Sequence, residues 1–208
     1  MLKYSIVFED DCLLVVDKSS GLLVIPTPKG EKNTLTDLLN NYLAVKYPEQ
    51  NIKAHPCHRL DRETSGLILY AKGKAMQQKV MDQFHNKQVG KKYLAFVQGH
   101  PKKQTGFINY KLEGNEAGTK YQILKSYPTG YSQVEVEPIT GRTNQIRLHF
   151  KMIGHPVVGE RKFAFAKDYK VKAKRLMLHS SFISLIHPGT NEPVNFSSHL
   201  PEDMLTLS

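Results

Sequence analysis

The densest run of polar side chains is His58-Arg59-Leu60-Asp61-Arg62-Glu63-Thr64-Ser65-Gly66. A carboxylate between two arginines is favoured in its ionised form. In that form it can act as a nucleophile or as a base. The run stands just before the apolar stretch Leu67 to Ala71, and a polar loop that feeds a core strand is held in place by the sheet. The same residues would equally make a capped turn with surface ion pairs. A second cluster is Gly141-Arg142-Thr143-Asn144-Gln145-Ile146-Arg147-Leu148-His149. Helical spacing presents Arg147 beside the apolar Ile146 and Phe150, and an arginine at the edge of a buried face needs a carboxylate partner. Which carboxylate is open, and a surface arginine that packs its stem on the core is the plain alternative. The third cluster is Lys91-Lys92-Tyr93-Leu94-Ala95-Phe96-Val97. There Tyr93 shares a strand face with Ala95 and Val97, either as a core residue or as a ring that stacks on a base.

Other chemistries find little support. His55, Cys57 and His58 are too crowded for a standard zinc spacing, and no Cys-x-x-Cys accompanies them. No metal is expected. The chain has no Gly-x-x-x-x-Gly-Lys-Ser/Thr loop, no Gly-x-Gly-x-x-Gly and no Gly-x-Ser-x-Gly elbow. Nucleotide cofactors are therefore not expected.

Elements that position these clusters can be read from periodicity. Leu13 to Val16 and Leu22 to Ile25, separated by Ser19-Ser20-Gly21, predict a hairpin or paired strands. Leu35, Leu38, Leu39, Tyr42 and Leu43 follow helical spacing after a capping residue, Asn33 or Thr34, and Pro48 ends that segment. Leu67 to Ala71 predicts a buried strand, residues 76–88 a helix and Tyr93 to Val97 another strand. Residues 106–110, 119–126 and 131–137 alternate like strands of an antiparallel sheet. A helix is expected from Thr143 until Gly154 and Pro156. Leu176 to Ile186 returns to strand character.

At 208 residues the chain can bury a sizeable core, and one domain over 1–208 is expected. The net charge of +10 makes a polyanion a plausible partner. Residues 161–175 hold seven basic residues and one acidic one, either as an RNA-backbone patch or as a solvated face. Two cysteines do not make a disulfide scaffold. The acidic residues near the N-terminus break any signal-peptide pattern, and no apolar run reaches the ~20 residues of a membrane span. A cytoplasmic protein with no membrane association follows as an expectation.

The three clusters, in this order, resemble the RluA-type family of RNA pseudouridine synthases. His58–Gly66 resembles that family's His-Arg-Leu-Asp-x-x-Thr-Ser-Gly signature, and Gly141–His149 its Gly-Arg-Thr-x-Gln-Ile-Arg-x-His motif. Lys92-Tyr93-Leu94-Ala95 resembles the tyrosine motif, Leu176-Met177-Leu178-His179 the late Leu-x-Leu-His element, and Leu14 to Leu22 the first strand pair. The likeness runs from about residue 8 to 199.

The resemblance implies an α+β fold: a mixed, mostly antiparallel sheet with flanking helices and a central RNA-binding cleft. It implies that Asp61 is the essential aspartate, that Tyr93 contacts the target base and that Arg147 pairs with the aspartate. By the same resemblance Arg59 holds RNA where the base leaves the stack, Leu178 lines the base pocket, and His58 and Thr64 accompany them in substrate binding. It implies isomerisation of uridine in ribosomal RNA, transfer RNA or both, without a cofactor, by a protein expected to be monomeric. Ser19, Asn144, Glu160 and Phe163 stand where the family commonly has Pro, His, Asp and Tyr. Because the pattern begins within the first dozen residues, no S4 RNA-binding domain is expected. Two rivals remain at this point: an RNA-binding or chaperone-like protein that has lost catalysis, and a nucleoside glycosidase that releases free uracil.

Overall fold

The computed structural model describes residues 3–28, 30–164 and 171–206. The chain packs as two compact units, Met1–Gly90 with Phe182–Ser198 and Lys91–Ser181 with His199–Ser208.

In the first unit, β1 (Tyr4–Glu9) pairs antiparallel with β2 (Leu13–Lys18), and β2 pairs antiparallel with β4 (Ser65–Lys72). The short β3 (Ala54–Pro56) also pairs with β4. All eight residues of β4 are buried, as are Leu13 to Val16 of β2, so both strands read as near-continuous apolar runs. Helix α1 (Leu35–Lys46) packs on β3 and buries Leu35, Leu39 and Leu43, a stripe at i, i+4, i+8. Thr34 and Asp37 form a capping box at its start. Helix α2 (Lys74–His85) lies against β4 through Val80.

The expected strand at Leu22 to Ile25 does not form. The Leu23 and Val24 carbonyls instead accept hydrogen bonds from Leu35 N and Thr36 N, at 2.7 and 3.1 Å. That segment's main chain serves the open first turn of α1, and its apolar side chains pack from a loop. The strand beside β2 is β1, whose half-exposed residues carry little hydrophobic signal. Strand β9 (Leu178–Ile186) contributes residues to both units, and its second half pairs antiparallel with β10 (Pro193–Ser197) within the first.

The second unit contains β5 (Gly90–Gln98, from Lys91 on), β6 (Thr105–Ile108), β7 (Thr119–Tyr127) and β8 (Tyr131–Pro138), paired antiparallel in the order β5-β8-β7-β6. Val134 and Val136 point into the core while Gln133, Glu135 and Glu137 alternate outward, as period-2 patterning requires. Helix α3 (Gln145–Met152) packs on β7 and β8, with Phe150 edge-on to Tyr121 at 5.5 Å. A short α4 (Glu202–Leu205) follows, and the Arg175 guanidinium bonds its Asp203 at 2.6 and 2.8 Å. The expected α+β class with mostly antiparallel strands and flanking helices is what forms. Among the described residues no helix is long and apolar enough to cross a membrane.

Candidate active site

The Asp61 loop, residues 57–64, joins β3 to β4 in the first unit. Its first half extends the β3–β4 ladder by a side chain. Cys57 N donates to the Leu69 carbonyl at 3.0 Å, and Leu69 N donates to His58 Nε2 at 3.0 Å. Nε2 is therefore the unprotonated nitrogen of a neutral His58. Its ring lies 5.3 Å from Phe84 of α2. Thr64 N donates to the Asp61 carbonyl at 3.2 Å and closes the second half. Thr64 is buried, Asp61 and His58 are half-buried, and Arg59 is exposed. The loop re-enters β4 through Gly66, whose φ of 109° lies where only glycine is unstrained.

A clasp from the end of β2 holds the same loop. Lys18 is fully buried, and its Nζ donates to the carbonyls of Ser19, Leu22 and Arg62 at 3.0, 2.9 and 3.1 Å. Gly21 N also donates to the Arg62 carbonyl, at 2.7 Å, and Ser20 Oγ to the Glu63 carbonyl at 2.6 Å. The two residues after Asp61 thus have their carbonyls fastened to the Lys18–Gly21 turn. Register explains the placement, since Lys18 sits opposite Gly66 where the loop ends. The Arg62 side chain turns to Glu31 at 3.1 Å. Sequence reading gave Lys18 no role; its signal is a lysine directly after the apolar run Leu13 to Val16 and Asp17.

In the second unit, Arg147 on α3 is buried and forms a two-pronged ion pair with Glu160. Its Nε reaches Oε2 at 2.7 Å and its Nη2 reaches Oε1 at 2.8 Å. Nη1 donates to Asn144 Oδ1 at 2.9 Å, and the guanidinium lies 5.0 Å from the centre of the Phe163 ring. Glu160 Oε1 also accepts from the N–H groups of Arg161, Lys162 and Phe163. Burial pushes the Glu160 carboxyl up, but Arg147 and the Lys162 and Phe163 N–H groups more than offset this and hold it below its ordinary range. Glu160 is thus one carboxylate partner that the helix argument required. Three of the four departures from the family pattern, Asn144, Glu160 and Phe163, meet at this one arginine. Asn144 takes a left-handed conformation at φ 54°, which asparagine tolerates better than most residues.

Gln145 and His149 of the same motif face inward and tie α3 to the strands below it. Gln145 Nε2 donates to the Gly118 carbonyl at 2.8 Å and to Thr119 Oγ1 at 2.9 Å, and its Oε1 accepts from Thr140 Oγ1 and Arg142 N. The chain continues from the Thr119 hydroxyl to His149 Nδ1 at 2.9 Å, and from Nε2 to the Tyr110 carbonyl at 3.0 Å. Burial lowers the His149 pKa, the Tyr110 carbonyl opposing. These two residues are positioning groups of the Arg147 helix. Tyr93 is buried on β5 opposite Val136, and Leu178 is buried at the start of β9.

Asp10, Cys12 and His187 are brought together within 4.8 Å in the first unit. His187 Nδ1 accepts from Gly189 N and Thr190 N, at 3.2 and 3.1 Å, so a neutral ring carries its proton on Nε2, 2.8 Å from Asp10 Oδ2. A metal on Nε2 would displace that proton and need Nδ1 to surrender both bonds. Among the described residues Nε2 makes no hydrogen bond of ordinary geometry, so the contact with Asp10 is one of proximity. Of the basic segment 161–175, residues 165–170 lie outside the described residues.

A family model described as RNA pseudouridylate synthase matches residues 12–152, a span that includes Asp61, Tyr93 and Arg147. The dual-specificity RNA pseudouridine synthase RluA of Pasteurella multocida is 35% identical, over 93% of this chain and 91% of its own. The protein of the same name from Escherichia coli K12 is 31% identical over the same shares. Among solved structures, human RNA pseudouridylate synthase domain containing 4 matches with a TM-score of 0.80 at 25% identity, over 97% of this chain and 90% of that one. Human RNA pseudouridylate synthase domain containing 1 matches at 0.76 and 26%, over 94% and 83%.

Proposed function

Because the chain belongs to the RNA pseudouridylate synthase family, it is an isomerase that converts uridine in RNA to pseudouridine, and we propose that Asp61 is the carboxylate that does so. The observation that carries this reading is the clasp on the Asp61 loop. Lys18, Ser20 and Gly21 make five hydrogen bonds to the two carbonyls that follow Asp61 and within their own turn. A surface turn needs no such support, whereas a catalytic carboxylate must be held in place.

The reaction breaks the N1–C1′ bond, turns the uracil and joins C5 to C1′. The C5 proton leaves and N1 is protonated, so no redox partner is required. The target base has to leave its stack, at a cost of roughly a few kcal/mol. Asp61 acts by attack on the sugar, by attack on the ring, or by removing a sugar proton. We assign Arg147 to hold the aspartate charged, Tyr93 to contact the base, Leu178 to line its pocket, and Arg59, His58 and Thr64 to binding. The rigid Glu160 and Asn144 contacts of Arg147 support a positioning role. On this reading the chain is a single catalytic domain over 1–208, monomeric, cytoplasmic and free of metal.

The bacterial relatives are named as dual-specificity RNA enzymes, which favours more than one target, and stem-loop uridines in ribosomal RNA, transfer RNA or both are the targets proposed. Mapping pseudouridine in both RNA pools from cells lacking the gene tests the assignment. One or more sites should disappear and return with the wild-type gene. An unchanged map would defeat it. Release of free uracil from RNA would instead point to a glycosidase.

A further inference from the structure

Within the first unit, an open cavity of about 560 Å³ borders the Asp61 loop. Its wall is the Ser19–Leu23 turn and its rim carries Lys3, Lys32 and Arg62, with Glu31 as the single carboxylate. The wall is bare at Gly21, where an added Cβ would meet nothing within 4 Å. That cavity shares Arg62 with the loop, and Gly21 N is bonded to the Arg62 carbonyl. Whatever fills it is therefore one residue from Asp61 along the chain.

We infer that this cavity is a subsite for a backbone phosphate of the RNA strand next to the target uridine, contacted by Lys3, Lys32 and Arg62, with Glu31 occupying Arg62 when RNA is absent. The inference rests on the reading that the chain acts on RNA, and deepens it. Three cations against one carboxylate favour an anion, and a bare turn lets a sugar–phosphate backbone approach closely. Glu31 already accepts hydrogen bonds from Thr27 N, at 3.1 Å, and from the Thr27 hydroxyl. It therefore keeps a partner when Arg62 turns to phosphate, which makes the exchange inexpensive. Phosphate contacts of this kind set register and orientation rather than sequence choice.

The test is equilibrium binding of an in vitro transcribed transfer RNA as a function of salt, alongside C5-tritium release from uridine-labelled total RNA of cells lacking the gene. Lys3→Gln with Lys32→Gln should weaken binding roughly five- to tenfold near 0.1 M salt, with kcat within about twofold. The log–log salt slope should fall by up to about 0.7, the value for one single-strand phosphate contact. Glu31→Gln should tighten binding about two- to fivefold, and Lys32→Arg should restore most of the lost affinity. Both lysines are exposed, so the melting temperature should hold and serve as the folding control. An unchanged salt slope in the double variant, or weaker binding by Glu31→Gln, would overturn the subsite. If the wild-type protein releases no tritium, the RNA-isomerase reading itself fails, which is a different result.

Discussion

Removing the Glu160 carboxylate should be among the most damaging single changes in the second unit. Glu160 accepts five hydrogen bonds, two from Arg147 and three from the N–H groups of Arg161, Lys162 and Phe163. The Arg147 and Glu160 side chains are 5% and 1% exposed, so water cannot replace the lost partner without rearrangement. Glu160→Ala leaves a buried guanidinium short of its anion, a defect that costs about 3–5 kcal/mol. For a protein of this size each kcal/mol lowers the melting temperature by about 2–4 °C. The expected drop is therefore roughly 6–20 °C, read by circular dichroism. Glu160→Asp keeps the charge and shortens the reach by one methylene, so its drop should be less than half as large. In C5-tritium release assayed well below the variant's melting point, Glu160→Ala should lose at least tenfold in kcat, because Arg147 is no longer held. A melting temperature within 2 °C of wild type would refute the reasoning about burial. A stable loss of melting temperature with kcat intact would refute the link from Glu160 to catalysis.

Two further outcomes follow from the first unit. Glu9 gathers Lys46, Lys72, Tyr42 and Tyr47; burial pushes its carboxyl up, and these four partners bring it down to about 2. Its folded value is depressed, so its contribution is fully present above the ordinary carboxylate range and is lost as pH falls toward about 2. Glu9→Gln should cost about 1–2 kcal/mol at pH 7, a figure reduced from the full shift because Lys46 is half-exposed. The gap from wild type should close in urea melts near pH 2, and a gap independent of pH would contradict this. Lys18→Met should take the Nζ donor from the Ser19 and Leu22 carbonyls and leave the Arg62 carbonyl with Gly21 N, costing about 2–4 kcal/mol. It should also lower kcat more than it raises KM, since the loop it clasps carries Asp61. An increase in KM alone would place Lys18 in binding instead.

How much of this was legible beforehand depended on whether a residue's signal was local. Leu35, Leu39 and Leu43 announce α1 by spacing, and Thr34 is one of the two residues that could cap its start. Leu67 to Ala71 is apolar on both faces and reads as a buried strand, which it is. Leu22 to Ile25 looked the same but lies in a loop, because its carbonyls are spent on the open first turn of α1. Periodicity cannot see a main-chain partner. Strand β1 was missed for the opposite reason, its residues being half-exposed at an edge. At the site, the motif exposed Asp61 and Arg147 but not what holds them. Lys18 is 44 residues from the carbonyl it grips, and Glu160 is 13 residues beyond its arginine. Charge pairs of that kind are formed by the fold.

The central claim concerns Asp61, and C5-tritium release by Asp61→Asn on RNA that the wild-type enzyme turns over tests it most directly. The substitution keeps the size of the side chain and the Thr64 N bond to its carbonyl, so the loop should stand and RNA affinity should stay within about threefold. The account predicts no detectable release by Asp61→Asn while binding persists. Turnover by Asp61→Asn within tenfold of wild type would contradict it.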